Sequence, residues 1–152
     1  MEGIQDKALS LVLDTNIVLS GLLWEGLPYE LLRLASEGKV ELFTSTLMLY
    51  ELKDVLDRGK WTNRLDALDE TPDGLIDKYL WSVSLVEPGS IIFSPLLDLS
   101  DNKLLSTAAA AQADAIVTRD KNVLSISSYG KIQILNETQA MELITGKHET
   151  IP

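Results

Sequence analysis

"LSLVLDTNIVLSG", from Leu9 to Gly21, decides how the rest of the chain is read. Leu9 to Leu13 is an apolar run with the length and character of a fully buried strand. Asp14 interrupts it, Thr15 and Asn16 follow, and the sequence then turns apolar again. One reading is local: the strand stops at Asp14, and Asp14 or Asn16 caps the next helix. The other is that the strand delivers a carboxylate to a place where further acids meet. The positions of the other acids decide between them.

Beyond this stretch, strands and helices alternate. "LPYELLRLASEGK" (Leu27 to Lys39) has Pro28 at a helix start and Gly38 at its end, the asymmetry typical of helices. "VELFTS" (Val40 to Ser45) reads as a short strand, and Thr46 to Arg58 carries a helical stripe of Met48, Leu52, Val55 and Leu56. Trp61 to Trp81 reads as two helices broken around "ETPDG", and "SLVEPGSIIFSP" as irregular or edge strand. Ser100 to Ala113 is a helix with Ser100 as its cap and an alanine-rich body. "DAIVT" (Asp114 to Thr118) is a buried type of strand, followed by a helical turn at Lys121 to Ile126. A strand at Lys131 to Leu135 and a helix at Glu137 to Ile144 close the chain. This order predicts a three-layer α/β/α sandwich with a mainly parallel central sheet, in one domain spanning residues 1–152.

Ligands bind such sheets just beyond the carboxyl ends of the strands. Asp14 ends the first strand, and Asp120 lies two residues past Thr118, so both emerge at that edge; each is also an ordinary cap residue. Glu51 shares a helix face with Leu47, Met48, Leu52 and Val55 by three-and-four spacing. A lone buried carboxylate is costly, so Glu51 needs a cation or strong donors nearby. Its ordinary alternative is a place at the stripe's border, paired with Arg58 or another base. Asp101 repeats the oddity on the face of Leu104, Leu105 and Ala108, although a first-turn Asp also suits the helix dipole. Asp98 lies in the loop three residues earlier.

Composition narrows the chemistry. The 152 residues suit one domain with a real core, at 45% hydrophobic and 24% charged. With no cysteine, thiolate zinc sites, disulfides and cysteine nucleophiles are excluded. His148 is the only histidine, which rules out a multi-histidine metal site and disfavours a Ser-His-Asp triad. Any metal must then be held mostly by oxygen, which favours Mg²⁺ or Mn²⁺. The start "MEGIQDKALS" lacks the features of a signal peptide, and no apolar run approaches the roughly 18 residues of a membrane span. A cytoplasmic location and no membrane partner are expected. The formal net charge of −10 argues against coating nucleic acid through the overall field, and fits an enzyme that needs cations or a protein with a basic partner. Four acids at one edge repel one another unless cations neutralise them, and two-metal phosphodiester cleavage uses such an arrangement.

With these residues in place, the chain resembles the PIN-domain nucleases nearly end to end. "VLDTNIVLSGLLWEGLP" is similar to the family's opening strand with its Asp and following Asn, and "FTSTLMLYEL" to its strand, Ser and Glu-bearing helix. "DLSDNKLLSTAAAAQADAIVTRDKNVLSI" resembles the third acid, helix, strand and final acid. The cluster of Gly21, Trp24, Gly26 and Pro28 is most like the VapC-like branch, the toxin components of toxin–antitoxin pairs. The resemblance implies a metal-dependent endoribonuclease with Asp14, Glu51, Asp101 and Asp120 as catalytic, metal-binding acids. It implies that Asn16, Ser45 and Thr118 orient them. It also implies an RNA substrate, an antitoxin partner and a homodimer. The chain departs from the family at "DLSDN", where relatives often carry a fuller acidic run, and this leaves open whether Asp98 assists. It departs again at Arg119, where relatives commonly have Gly; this cation could contact substrate phosphate or weaken metal binding.

Other residues carry bland and sharp readings side by side. Trp24, Trp61 and Trp81 are ordinarily packing residues, and otherwise surfaces on which bases stack. Lys53, Lys103, Arg119 and Lys121 are solvated bases or phosphate contacts. Two rival functions stand beside the nuclease. One is a non-catalytic PIN-like binding or dimerisation module; the other is a haloacid dehalogenase-like phosphatase. The latter fold wants a second Asp two residues after the first, where this chain has Asn16.

Overall fold

A parallel sheet built on Leu9–Leu13 organises the computed structural model, which describes residues 8–90 and 97–148. The strands are β1 (Leu9–Leu13), β2 (Val40–Thr44), β3 (Val83–Leu85), β4 (Ala115–Val117), β5 (Ser128–Tyr129) and β6 (Ile132–Leu135), in the order β3-β2-β1-β4-β6-β5. Every neighbouring pair is parallel except β5 with β6. β1 lies between β2 and β4, pairing Leu11 with Leu42 on one side and with Ala115 on the other. Its backbone is therefore bonded on both sides, and Leu11, Val12 and Leu13 are buried, as a central strand covered on both faces requires.

Alternation along the strands divides the core in two. Leu11, Leu13, Ala115 and Val117 face a larger cluster, while Val12, Ile116 and Ile134 face a smaller one. The larger is covered by α1 (Thr15–Leu23), α2 (Leu27–Ser36), α3 (Thr46–Leu56), α4 (Thr62–Leu68), α5 (Pro72–Leu80) and α8 (Glu137–His148). The smaller is covered by α6 (Leu99–Ala111) and the short α7 (Lys121–Leu124). Burying one Leu or Ile in these layers contributes about 1.5–3 kcal/mol. The three-layer, mainly parallel α/β sandwich is thus present.

Local chemistry sets the element ends. α1 and α2 meet so closely that a Cβ on Gly21 would lie 2.7 Å from the Leu32 side chain and 2.9 Å from the Pro28 carbonyl. Gly26 enters α2 at φ 140°, a conformation few other residues adopt. One expectation needs correction. The cap of α6 is Asp98, whose extended backbone lets its side chain accept from the Asp101 amide at 2.8 Å; Ser100 is already helical. Within "SLVEPGSIIFSP", Ser84 and Leu85 belong to β3, an edge strand parallel to β2, in agreement with the edge-strand reading, and residues 91–95 of that stretch lie outside the described residues. The two-residue β5 hairpin on β6 was not anticipated.

Candidate active site

Four elements bring acids to the carboxyl edge of the sheet. Asp14 follows β1, Glu51 stands on α3, Asp98 and Asp101 open α6, and Asp120 follows β4. All five line one cleft of about 390 Å³, together with Thr15, Asn16, Asp54, Val55, Arg58 and Ser100. Six acids thus line it against one base.

Asp14 answers both readings of the opening stretch. Its Oδ1 accepts from the Thr15 amide at 2.7 Å, so it caps α1. Its Oδ2 accepts from the Thr118 hydroxyl at 2.7 Å. Burial pushes its carboxyl above the usual range; the bonds from Thr118 and Thr15 oppose this, and the charges of Asp120 and Glu51 add to it. Thr118 is fully buried, and its oxygen also accepts from the Asp120 amide at 3.0 Å, so one hydroxyl links two of the acids. Asp120 in turn caps α7 by accepting from the Asn122 amide at 2.8 Å.

Asp101 is the most perturbed acid. It is buried, and its carboxyl is pushed up to about 7, first by burial and then by the charges of Asp120, Asp98 and Asp14. Glu51 is half-buried, between its two expected placements. Its Oε1 accepts from the Ser100 hydroxyl at 3.1 Å and lies 3.5 Å from that of Thr15. Its Oε2 is 3.7 Å from the Lys103 ammonium, so its base is Lys103 rather than Arg58.

The remaining expected residues divide. Asn16 is exposed and lines the cleft. Ser45 does not line it: fully buried, it caps α3 and shares a 2.8 Å hydrogen bond with Thr107 of α6, joining the helices that carry Glu51 and Asp101. Arg119 does not line the cleft. Its guanidinium pairs with Glu137 at 2.6 Å and donates to Ser20 at 2.9 Å, drawn off by an acid on α8. Lys53 pairs with Asp73 at 2.8 Å, while Lys121 is exposed and outside the cleft lining. Trp81 is 90% exposed, Trp61 is half-buried and donates to the Val55 carbonyl, and Trp24 lies under Arg64. Sequence reasoning missed Thr15, Ser100 and Asp54 as parts of the cleft, and it missed Arg58 as its base. Only the hydroxyl positions beside Asp14 and Asp101 gave any signal.

The donor set suits a hard divalent cation: carboxylates dominate, and positive charge would offset both the burial and the repulsion that lift Asp101. Among the described residues, no group of three or more acids is gathered into a ready-made metal cage. The acids line an open cleft instead.

The PIN-domain family model matches residues 10–122. Among solved structures, the fold is similar to that of VapBC2 from Rickettsia felis bound to a DNA fragment from their promoter. That likeness has a TM-score of 0.58 and 17% identity, covering 84% of this chain and 98% of that one. It is also similar to PAE2754 from Pyrobaculum aerophilum, at a TM-score of 0.54 and 18% identity, covering 91% of each chain. No curated protein matches the chain. The family match spans most of the chain, from the opening strand to the turn after the last acid, and the fold agrees with it: the chain belongs to the PIN-domain family.

Proposed function

We propose that this chain is a divalent-metal-dependent endoribonuclease that cleaves RNA phosphodiester bonds, with Asp14, Glu51, Asp101 and Asp120 as its metal-binding acids. The observation that carries the reading is that four separate elements bring these carboxylates to one cleft at the carboxyl edge of the sheet. Membership of the PIN family supports hydrolysis of a nucleic acid. The hard-oxygen donor set favours Mg²⁺ or Mn²⁺. When bound, the cations would supply an activated water and stabilise charge on the leaving oxygen.

The chain's own residues position the acids. Thr118 and the Thr15 amide fix both oxygens of Asp14, while Ser100, Thr15 and Lys103 fix Glu51. Asp98 holds the first turn of α6 and so the backbone of Asp101. Ser45 acts at one remove, through the α3–α6 contact. The reading includes a toxin role in the cytoplasm, with an antitoxin partner and a homodimeric form; the likeness of fold to VapBC2 is in keeping with the antitoxin pairing. Among the described residues, no helix is long and apolar enough to cross a membrane.

The test is cleavage of single-stranded RNA by the full chain with Mg²⁺, with Mn²⁺ and with chelator, beside Asp14→Asn. Asn caps a helix about as well as Asp, so a pure cap would lose little. The expected result is metal-dependent cleavage that falls on the order of 10²–10³-fold in the variant, together with a higher melting temperature of the metal-free variant. Equal cleavage by both proteins would overturn the assignment of Asp14.

A further inference from the structure

Arg58, the base among the described residues lining the cleft, opens onto the most basic turn of an otherwise acidic chain. From Arg58 to Arg64 the sequence reads "RGKWTNR", three cations and no acid in a protein of net charge −10. Arg58 lines the acidic cleft, is largely exposed, and among the described residues its guanidinium makes a surface pair with Asp54 at 2.9 Å. An exposed pair of this kind is weak and easily exchanged for another anion.

The turn behind Arg58 is tied to α3. Trp61 donates its indole N–H to the carbonyl of Val55, itself a cleft-lining residue, at 3.0 Å. The exposed Lys60 places its ammonium 4.8 Å from the centre of the Trp61 ring, two residues along the chain from Arg58. Farther on, Arg64 donates to the Leu23 carbonyl at 2.6 Å and stacks 4.4 Å from the centre of the Trp24 ring, which is 47% exposed. Cations interleaved with aromatic rings are what a single strand uses, with phosphates on the charges and bases on the rings.

We propose that the Arg58–Arg64 turn is the track along which the RNA strand leaves the acidic cleft. Arg58 exchanges Asp54 for the first phosphate outside the cleft, and Lys60 takes the next. The proposal rests on the nuclease reading above, and it supplies what that reading lacks: a way for a polyanion to approach a cleft lined by six acids. A local cationic lead reduces the repulsion where the strand must pass, without changing the overall field.

The experiment uses the full chain and a labelled single-stranded RNA. It measures KM with Mn²⁺, affinity by anisotropy with Ca²⁺, and the salt dependence of both. Arg58→Gln with Lys60→Gln removes two cations whose side chains are exposed, so the fold should survive. The control pair is Lys39→Gln with Lys131→Gln, which changes net charge equally. Those residues are exposed, and they precede β2 and β6 at the opposite edge of the sheet. The track variant should raise KM and Kd about tenfold and make the salt slope shallower by about 1.4, the value for two contacts to a single strand. The control pair should leave all three unchanged. Asp54→Asn keeps every cation, frees Arg58, and should lower KM. Wild-type values in the track variant, or equal losses in the control pair, would overturn the track. If wild-type protein binds RNA through this turn without cleaving it, the nuclease reading falls and the track stands. If wild-type protein fails to bind RNA at all, both fall.

Discussion

The two edges of the sheet treat their acids in opposite ways. At the amino edge, Asp114 precedes β4 and accepts from the backbone amide of Ser10 at 2.9 Å and from its hydroxyl at 3.2 Å. The Asp114 amide returns bonds to the Ser10 carbonyl and hydroxyl. This acid is answered locally, by donors fixed in the β1–β4 ladder. At the carboxyl edge, Asp101 is buried with Asp120, Asp98 and Asp14 as its nearest charges, and its carboxyl is pushed up to about 7. An acid beside a strand end therefore says little by itself. What separates a structural acid from a candidate ligand is whether donors or other acids surround it.

The largest expected effect comes from removing charge at the crowded edge. Asp101→Asn should lower metal-dependent RNA cleavage on the order of 10²–10³-fold and stabilise the metal-free protein by roughly 2 kcal/mol. The sign follows from linkage. The Asp101 carboxyl is raised in the folded state, so between about pH 4 and 7 the folded state binds more protons than the unfolded one, and stability falls as pH rises. Thermal melts in chelator should show wild type losing stability across this window and the Asn variant losing less. A wild-type profile that is flat from pH 4 to 7 would show that the acids are not in conflict.

Thr118→Val sharpens the comparison without touching a charge. It removes the donor to Asp14 and the acceptor of the Asp120 amide while keeping nearly the same shape. Apparent Mn²⁺ affinity in a thermal-shift titration, and cleavage rate, should each fall about 10- to 100-fold. Thr118→Ser should restore most of both. A Ser variant as impaired as Val would mean that Thr118 acts through packing alone.

How far the sequence disclosed all this depended on the range of the interaction. β1 and β4 were legible because burial on both faces leaves apolar runs at Leu11–Leu13 and Ala115–Val117, β2 by its alternation of Val40, Leu42 and Thr44 inward with Glu41 outward, and the order of strands and helices then implied a parallel sheet. Glu51 and Asp101 stood out because each is an acid on an apolar helix face. The cap of α6 was misplaced, since Asp98 and Ser100 are both good cap residues and only the backbone geometry separates them. The hydroxyls that hold Glu51 come from positions 36 and 49 residues away in sequence, which no local pattern reveals. The partner of Arg119 was hidden for the same reason: Glu137 is an acid 18 residues farther along. β5 is too short to carry a periodic signal.

The smallest effect is expected where the acid is already answered. Asp114→Ala removes the acceptor of the Ser10 amide and hydroxyl at the amino edge. The bond between the Asp114 amide and the Ser10 carbonyl uses only backbone atoms and survives the substitution, so the β1–β4 ladder stays in register. The loss is one or two partly solvated hydrogen bonds, about 1 kcal/mol of stability. Water can reach this exposed edge and replace part of what is lost, so the ladder should not open. RNA cleavage and metal-dependent stabilisation should match wild type, because neither residue belongs to the cleft. Asp114→Ala and Asp101→Asn should then move in opposite directions: one loses stability and keeps activity, the other gains stability and loses activity. If Asp114→Ala also impairs cleavage, the amino edge controls the geometry of the acids through β1 and β4, and the division of labour between the two edges is wrong.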